Sequence, residues 1–117
     1  MKYALLIYDN EQGWASLSPE DRAAGMQEYE KYATGLVERD QMRGGEQLQP
    51  TSTATTIRQK DGNVLTTDGP YAETKEQLGG FFLVECQNLD EAIEAAQAIP
   101  SVKYGGVVEV RPIVEQH

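Results

Sequence analysis

Histidine and cysteine each occur once in this chain, as His117 and Cys86. A single cysteine excludes any disulfide within the chain. Zinc centres built from several Cys and His side chains are excluded with it. The acids form neither an EF-hand pattern nor a carboxylate–histidine cluster, so no metal is expected. Bases are scarce as well: 10 Lys and Arg stand against 19 Asp and Glu, a net charge of -9. Nucleic acids are polyanions held chiefly by Lys and Arg, so a nucleic-acid partner is disfavoured. An anionic membrane surface is disfavoured for the same reason. No apolar run approaches the length of a membrane span. The opening stretch Met1–Asp9 is too short for a signal peptide and lacks a small-residue cleavage site. These absences read as a soluble, cytoplasmic protein. Gly79-Gly80 and Gly105-Gly106 match neither the P-loop nor the dinucleotide fingerprint. No organic cofactor is called for, and cofactor-free chemistry on a small molecule is the enzymatic class left open.

The 117 residues suffice for one domain, 1–117. Lys2–Asp9, rich in Leu, Ile and Tyr with little alternation, reads as a strand covered on both faces. Asn10–Ser18 reads as loop. Ser18 is a helix cap, Pro19 takes the first helical position, and Glu20 and Asp21 favour the positive dipole end. That helix is expected to run to about Arg39, with Met26, Tyr29, Ala33 and Leu36 as its apolar stripe. Gly44-Gly45 closes the region. Thr53–Lys60 and Asn63–Thr67 are β-branched runs around Asp61-Gly62, a dipeptide suited to the positive φ angles of a type I′ hairpin. This register sets Lys60 opposite Asn63, Arg58 opposite Leu65 and Ile57 opposite Thr66. Asp68 then shares a face with Ile57, Val64 and Thr66. Gly79–Gln87 is the most apolar segment and reads as a central strand. Asn88 caps a second helix with Glu91 as capping-box partner; Leu89, Ala92, Ile93, Ala96 and Ile99 form its stripe, and Pro100 stops it. Val107–Val114 is the last strand, and Pro112 marks it as an edge or a bulge. The order strand, helix, hairpin, strand, helix, strand matches an α+β, ferredoxin-like split βαβ fold, with two helices on one face of an antiparallel sheet. The apolar residues of the other face predict a homodimer through it.

Thr67–Phe81, Thr-Asp-Gly-Pro-Tyr-Ala-Glu-Thr-Lys-Glu-Gln-Leu-Gly-Gly-Phe, is richer than a connector requires, since roughly two to five turn residues would do. Asp68 reads either as a general acid or base in an apolar cleft or as an aspartate that orders its own turn. Glu73 and Lys75 are candidates for binding or polarising a substrate, against the alternative of a solvated surface. Thr74 reads as the cap of a short helical turn, with Gln77 as its partner. Glu109 and Arg111 alternate onto one face of the last strand, to flank a pocket, to bridge to Asp68, or to form a structural ion pair. Arg58 is a candidate carboxylate ligand, and Tyr8 a hydrogen-bond donor into the cleft or a packing residue. Cys86, within an apolar strand and with no histidine near, reads as a buried structural thiol.

The chain resembles the YCII-related family, in its branch named for the Asp-Gly-Pro-Phe (DGPF) motif. The likeness is carried by Lys2-Tyr3 to Ile7-Tyr8, Leu17-Ser18-Pro19-Glu20, Thr53-Ala54-Thr55-Thr56, Thr67–Phe81, Leu89-Asp90-Glu91-Ala92 and Val108–Pro112. Tyr71 stands where the branch name has Phe. The resemblance implies a ferredoxin-like subunit that pairs sheet to sheet into a dimeric α/β barrel. It also implies small-molecule chemistry by a histidine–aspartate pair in a cleft, one relative being a dehydrochlorinase of an aromatic ring. Asp68 matches the acid. His117 does not match the base, because a chain end is rarely held in place. The branch's neighbourhood with alternative sigma factors implies a stress or signalling setting. The expectation is a small homodimer with a pocket for an organic ligand near Asp68 and acid–base elimination, isomerisation or hydrolysis there. The second reading is a non-catalytic module that binds a ligand or a regulatory protein.

Overall fold

The computed structural model describes residues 1–115; His117 lies outside them. Six strands and three α-helices follow in the order β1 Lys2–Asp9, α1 Glu11–Ala15, α2 Pro19–Glu38, β2 Met42–Gln47, β3 Thr55–Lys60, β4 Asn63–Asp68, β5 Gln77–Glu85, α3 Leu89–Gln97 and β6 Val107–Pro112. The main sheet is antiparallel in the order β2-β5-β1-β6, the ferredoxin-like arrangement. β3 and β4 pair only with each other and form a separate two-stranded ribbon.

One face of the main sheet carries the core. Tyr3, Leu5 and Ile7 of β1 alternate inward and meet Tyr32 and Leu36 of α2, Val84 of β5, and Ala92, Ala95, Ala96 and Ile99 from α3 and just beyond it. The phenol of Tyr32 is buried and donates to the Ala95 carbonyl at 2.6 Å, so the polar tip of a core aromatic is satisfied. Its ring meets Phe82 edge-on at 5.2 Å. The caps form as their residues dictate: Ser18 Oγ accepts from the Asp21 amide at 3.1 Å, and Asn88 Oδ1 from the Glu91 amide at 2.9 Å. Cys86 is buried, and burial pushes its thiol pKa up.

Several expectations shift by a turn or a face. Asn10–Ser18 contains the short helix α1, because Asn10 Oδ1 accepts from the Gln12 amide and caps it. The inward side of α2 passes through Tyr32 and not Met26, which is exposed. On α3, Ala95 is buried while Leu89 and Ile93 face outward, since small alanines let the helix approach the sheet. Gly44-Gly45 lies inside the edge strand β2. There the two backbones run so close that a Cβ on Gly45 would sit 2.8 Å from the Phe82 ring.

The ribbon has the register its turn dictates, Lys60 opposite Asn63 through Thr55 opposite Asp68, with positive φ at both Asp61 and Gly62. At its base Gly69 takes φ +108°, its amide donates to the Ala54 carbonyl at 2.8 Å, and Thr56 Oγ1 donates to the Gly69 carbonyl at 2.8 Å. With this ribbon the chain measures 48 × 46 × 18 Å, and its radius of gyration of 16.2 Å exceeds the about 13 Å of a compact domain of this length.

Candidate functional site

The second face of the main sheet bears the alternate residues of β1: Ala4, Leu6 and Tyr8. Leu6 lies between Phe81 of β5 and Glu109 of β6, and Ala4 between Leu83 and Arg111. These side chains are half-buried, apart from exposed Arg111, and form an apolar floor with a polar margin. On that margin the carboxylate of Glu109 accepts from Tyr8 Oη at 3.4 Å and pairs with Arg111 Nε at 3.2 Å. Three residues singled out in the sequence are therefore brought together on one face. The Glu109–Arg111 pair closes within β6 and does not bridge to Asp68.

The segment from Asp68 to Gln77 leads from the ribbon into β5. Asp68 is exposed at the end of β4, and none of the ion pairs among the described residues engages it. Glu73 and Lys75 are exposed on the irregular chain that follows. Arg58 stacks on Tyr71, its guanidinium carbon 4.9 Å from the ring centre; stacking leaves the guanidinium edge free for a carboxylate. Thr74 caps no helix. Its Oγ1 donates to the Glu76 carbonyl and Gln77 Nε2 donates back to the Thr74 carbonyl at 2.6 Å, which folds a tight bend into β5. Gln77 Oε1 accepts from the Glu11 amide at 3.3 Å, fastening this bend to α1. Glu11 in turn grips Thr51 at both its amide (2.7 Å) and its hydroxyl (2.8 Å).

A family model for the YCII-related domain matches residues 1–117. The chain belongs to the YCII-related family. It is also 37% identical over 114 residues to an uncharacterized protein of Rhizobium meliloti (strain 1021), a match spanning 97% of this chain and 92% of that protein.

A second group of polar residues was not anticipated from the sequence. Asp9 ends β1 on the side of Tyr3, Leu5 and Ile7, the helix-covered face, and its carboxylate lies beside Gly106 and Ser101, while its charge reaches the Tyr29 phenol of α2. Strand parity carried the signal: an acid two residues past Ile7 must point towards the buried side. Burial, and after it the charge of Glu76, pushes the Asp9 carboxyl pKa above the ordinary aspartate value of 3.8. Among the described residues no group of three or more Cys, His, Asp and Glu could hold a metal ion. A shallow depression on the outer side of α2, among Gln27, Lys31, Thr34 and Glu38, contains none of the candidate site residues. No described helix is long and apolar enough to cross a membrane.

Proposed function

We propose that this YCII-family chain is a cytoplasmic homodimer that binds a small organic anion over the open sheet face and performs cofactor-free acid–base chemistry on it. The observation that carries this reading is the Tyr8–Glu109–Arg111 chain on an apolar floor. An apolar platform with a few convergent polar groups is the usual make-up of a small-molecule site. Arg111 keeps donors beyond the one given to Glu109, and a planar guanidinium suits a carboxylate. Tyr8 supplies a hydroxyl beside it. A second copy packed on this face would bury the floor, exclude water and raise the proton affinity of any carboxylate it covers. The segment from Asp68 to Gln77 would then form the rim, with Asp68 as the proton-transfer group and Arg58, Glu73 and Lys75 around it. Elimination, isomerisation or hydrolysis of an organic acid suits such a group.

The test is a thermal-shift screen of aromatic and aliphatic acids against wild type, Arg111→Ala and Asp68→Asn, with sedimentation to give the oligomeric state. A ligand stabilising wild type by several degrees, weakly if at all Arg111→Ala, supports the site. Turnover of that ligand by wild type but not by Asp68→Asn supports the chemistry. A monomeric protein with no acid bound sinks both.

The ribbon favours the second reading, a module for a regulatory protein. Ile57 and Val64 share one face and are 69% and 67% exposed. Such apolar exposure on a projecting element suits a protein contact. If wild type binds no small molecule while Ile57→Ser abolishes capture of a sigma-factor-type partner, this reading replaces the first.

A further inference from the structure

Two Asp-Gly pairs flank β4: Asp61-Gly62 at the tip of the ribbon and Asp68-Gly69 at its base. An aspartate followed by glycine can react with itself. The glycine nitrogen attacks the side-chain carbonyl carbon, and with no Cβ beside that nitrogen the approach is open. A C–N bond forms, the carboxyl hydroxyl leaves with the amide proton as water, and a five-membered succinimide closes. Water then reopens the ring. Attack at the side-chain carbonyl restores aspartate, whereas attack at the main-chain carbonyl leaves isoaspartate, with the chain running through the side-chain carbon. The sequence of steps consumes and returns one water and needs no oxidant or reductant.

Residue type does not separate the two pairs, and neither does crowding: a Cβ on Gly62 or on Gly69 would meet no atom within 4 Å. Hydrogen bonding does. The Gly69 amide donates to the Ala54 carbonyl at 2.8 Å, and the Gly69 carbonyl accepts from Thr56 Oγ1 at 2.8 Å. An amide committed to a carbonyl keeps the proton it must lose in order to attack. Gly69 and Pro70 are also half-buried, and proline fixes its own φ. The tip differs on each count. The ladder ends at Lys60 opposite Asn63, and among the described residues no main-chain acceptor takes the Gly62 N–H. Asp61 holds φ +52°, a left-handed conformation that residues with a Cβ rarely adopt. Every residue from Ile57 to Asp68 is exposed, so no packing opposes a change of turn geometry.

We propose that Asp61 is a site of spontaneous isoaspartate formation, and that the bonds at Gly69 shield Asp68 from the same reaction. The modification inserts an extra main-chain carbon into a two-residue turn whose length sets Lys60 opposite Asn63. The ribbon therefore ages from its tip, while its base keeps an intact aspartate. The shield operates whether or not Asp68 transfers a proton to a ligand.

The experiment is a prolonged incubation of the whole chain at neutral pH in heavy-oxygen water, since each opening of a succinimide leaves a heavy oxygen in the aspartyl residue. Mass spectrometry of fragments broken between Val64 and Thr67 assigns the label to one pair or the other. In the folded chain, label and isoaspartate are expected at Asp61 several times faster than at Asp68. In urea the difference should largely disappear. Label at Asp68 equal to or above that at Asp61 in the folded chain would overturn the proposal, as would no label at Asp61. A difference that persists undiminished in urea would do the same, because the neighbouring residues and not the fold would then set it. Thr56→Val removes the hydroxyl that holds the Gly69 carbonyl and should speed labelling of Asp68 severalfold, with Asp61 unchanged; an unchanged rate at Asp68 would sink the shielding. If Thr56→Val does not fold, the contrast between folded and urea-unfolded wild type decides the matter alone.

Discussion

The main sheet and the β3–β4 ribbon are built from similar apolar and β-branched residues, yet they are held by different forces. Leu5, Leu36 and Val84 are fully buried between sheet and helices, whereas every residue of β4 is exposed. The core coheres by burial. The ribbon coheres by backbone pairing, a two-residue turn and the bonds at Gly69. A two-stranded ribbon in water is marginal by itself. Its two strands are closed on each other by the Gly69 bonds at the base and by the Asp61-Gly62 turn at the tip.

Substitutions sharpen this contrast. Leu36→Ala should lose about 2–5 kcal/mol in urea unfolding, as fully buried leucines do, while Ile57→Ala on the ribbon should stay within about 0.5 kcal/mol. A large loss at Ile57 would mean that the ribbon is covered in solution and would erase the distinction. Gly45→Ala comes next, at about 1–3 kcal/mol, because its Cβ would meet the Phe82 ring and, at 2.9 Å, the Phe81 carbonyl oxygen. Chemical denaturation measures it; an unchanged midpoint would show that β2 can move away from β5 without loss. Gly62→Ala meets no neighbouring atom, so its cost of about 1 kcal/mol is only that of positive φ. Hydrogen exchange should detect it as faster opening of ribbon amides with the core protected. Faster exchange in β1 and β5 as well would join the two regions into one cooperative unit.

The smallest effect is electrostatic. The raised Asp9 pKa means that the folded chain holds a proton which the unfolded chain releases, over a window opening at 3.8 and extending upward. Stability therefore falls as pH rises through that window. Asp9→Asn should melt about one or two degrees higher than wild type near neutral pH, and the gain should vanish below the window. A variant less stable at neutral pH would reverse the assignment.

Much of the architecture was legible in local chemistry. The Asp61-Gly62 turn determines the ribbon register through to Asp68, and Ser18 and Asn88 cap the helices expected of them. The stripes were harder, because which side of a helix turns inward depends on partners far along the chain. Tyr32 is chosen over Met26 by the Ala95 carbonyl, 63 residues away. The same holds for the polar groups. Glu109 and Arg111 could be placed together by strand alternation, and Tyr8 joins them only through the β1–β6 pairing. Asp9, Tyr29 and Ser101 come from three separate elements, and no local pattern links them.

The base of the ribbon has a mechanical consequence. Its six-residue strands are about 20 Å long at the usual rise per residue. The Gly69–Ala54 and Thr56–Gly69 bonds close the two strands on each other at that end. Before β3 the chain is held at Thr51, whose amide and hydroxyl donate to Glu11, and after β4 it is held at Gln77, whose side chain accepts from the Glu11 amide. Both chains that leave the ribbon are therefore moored to one residue at the start of α1.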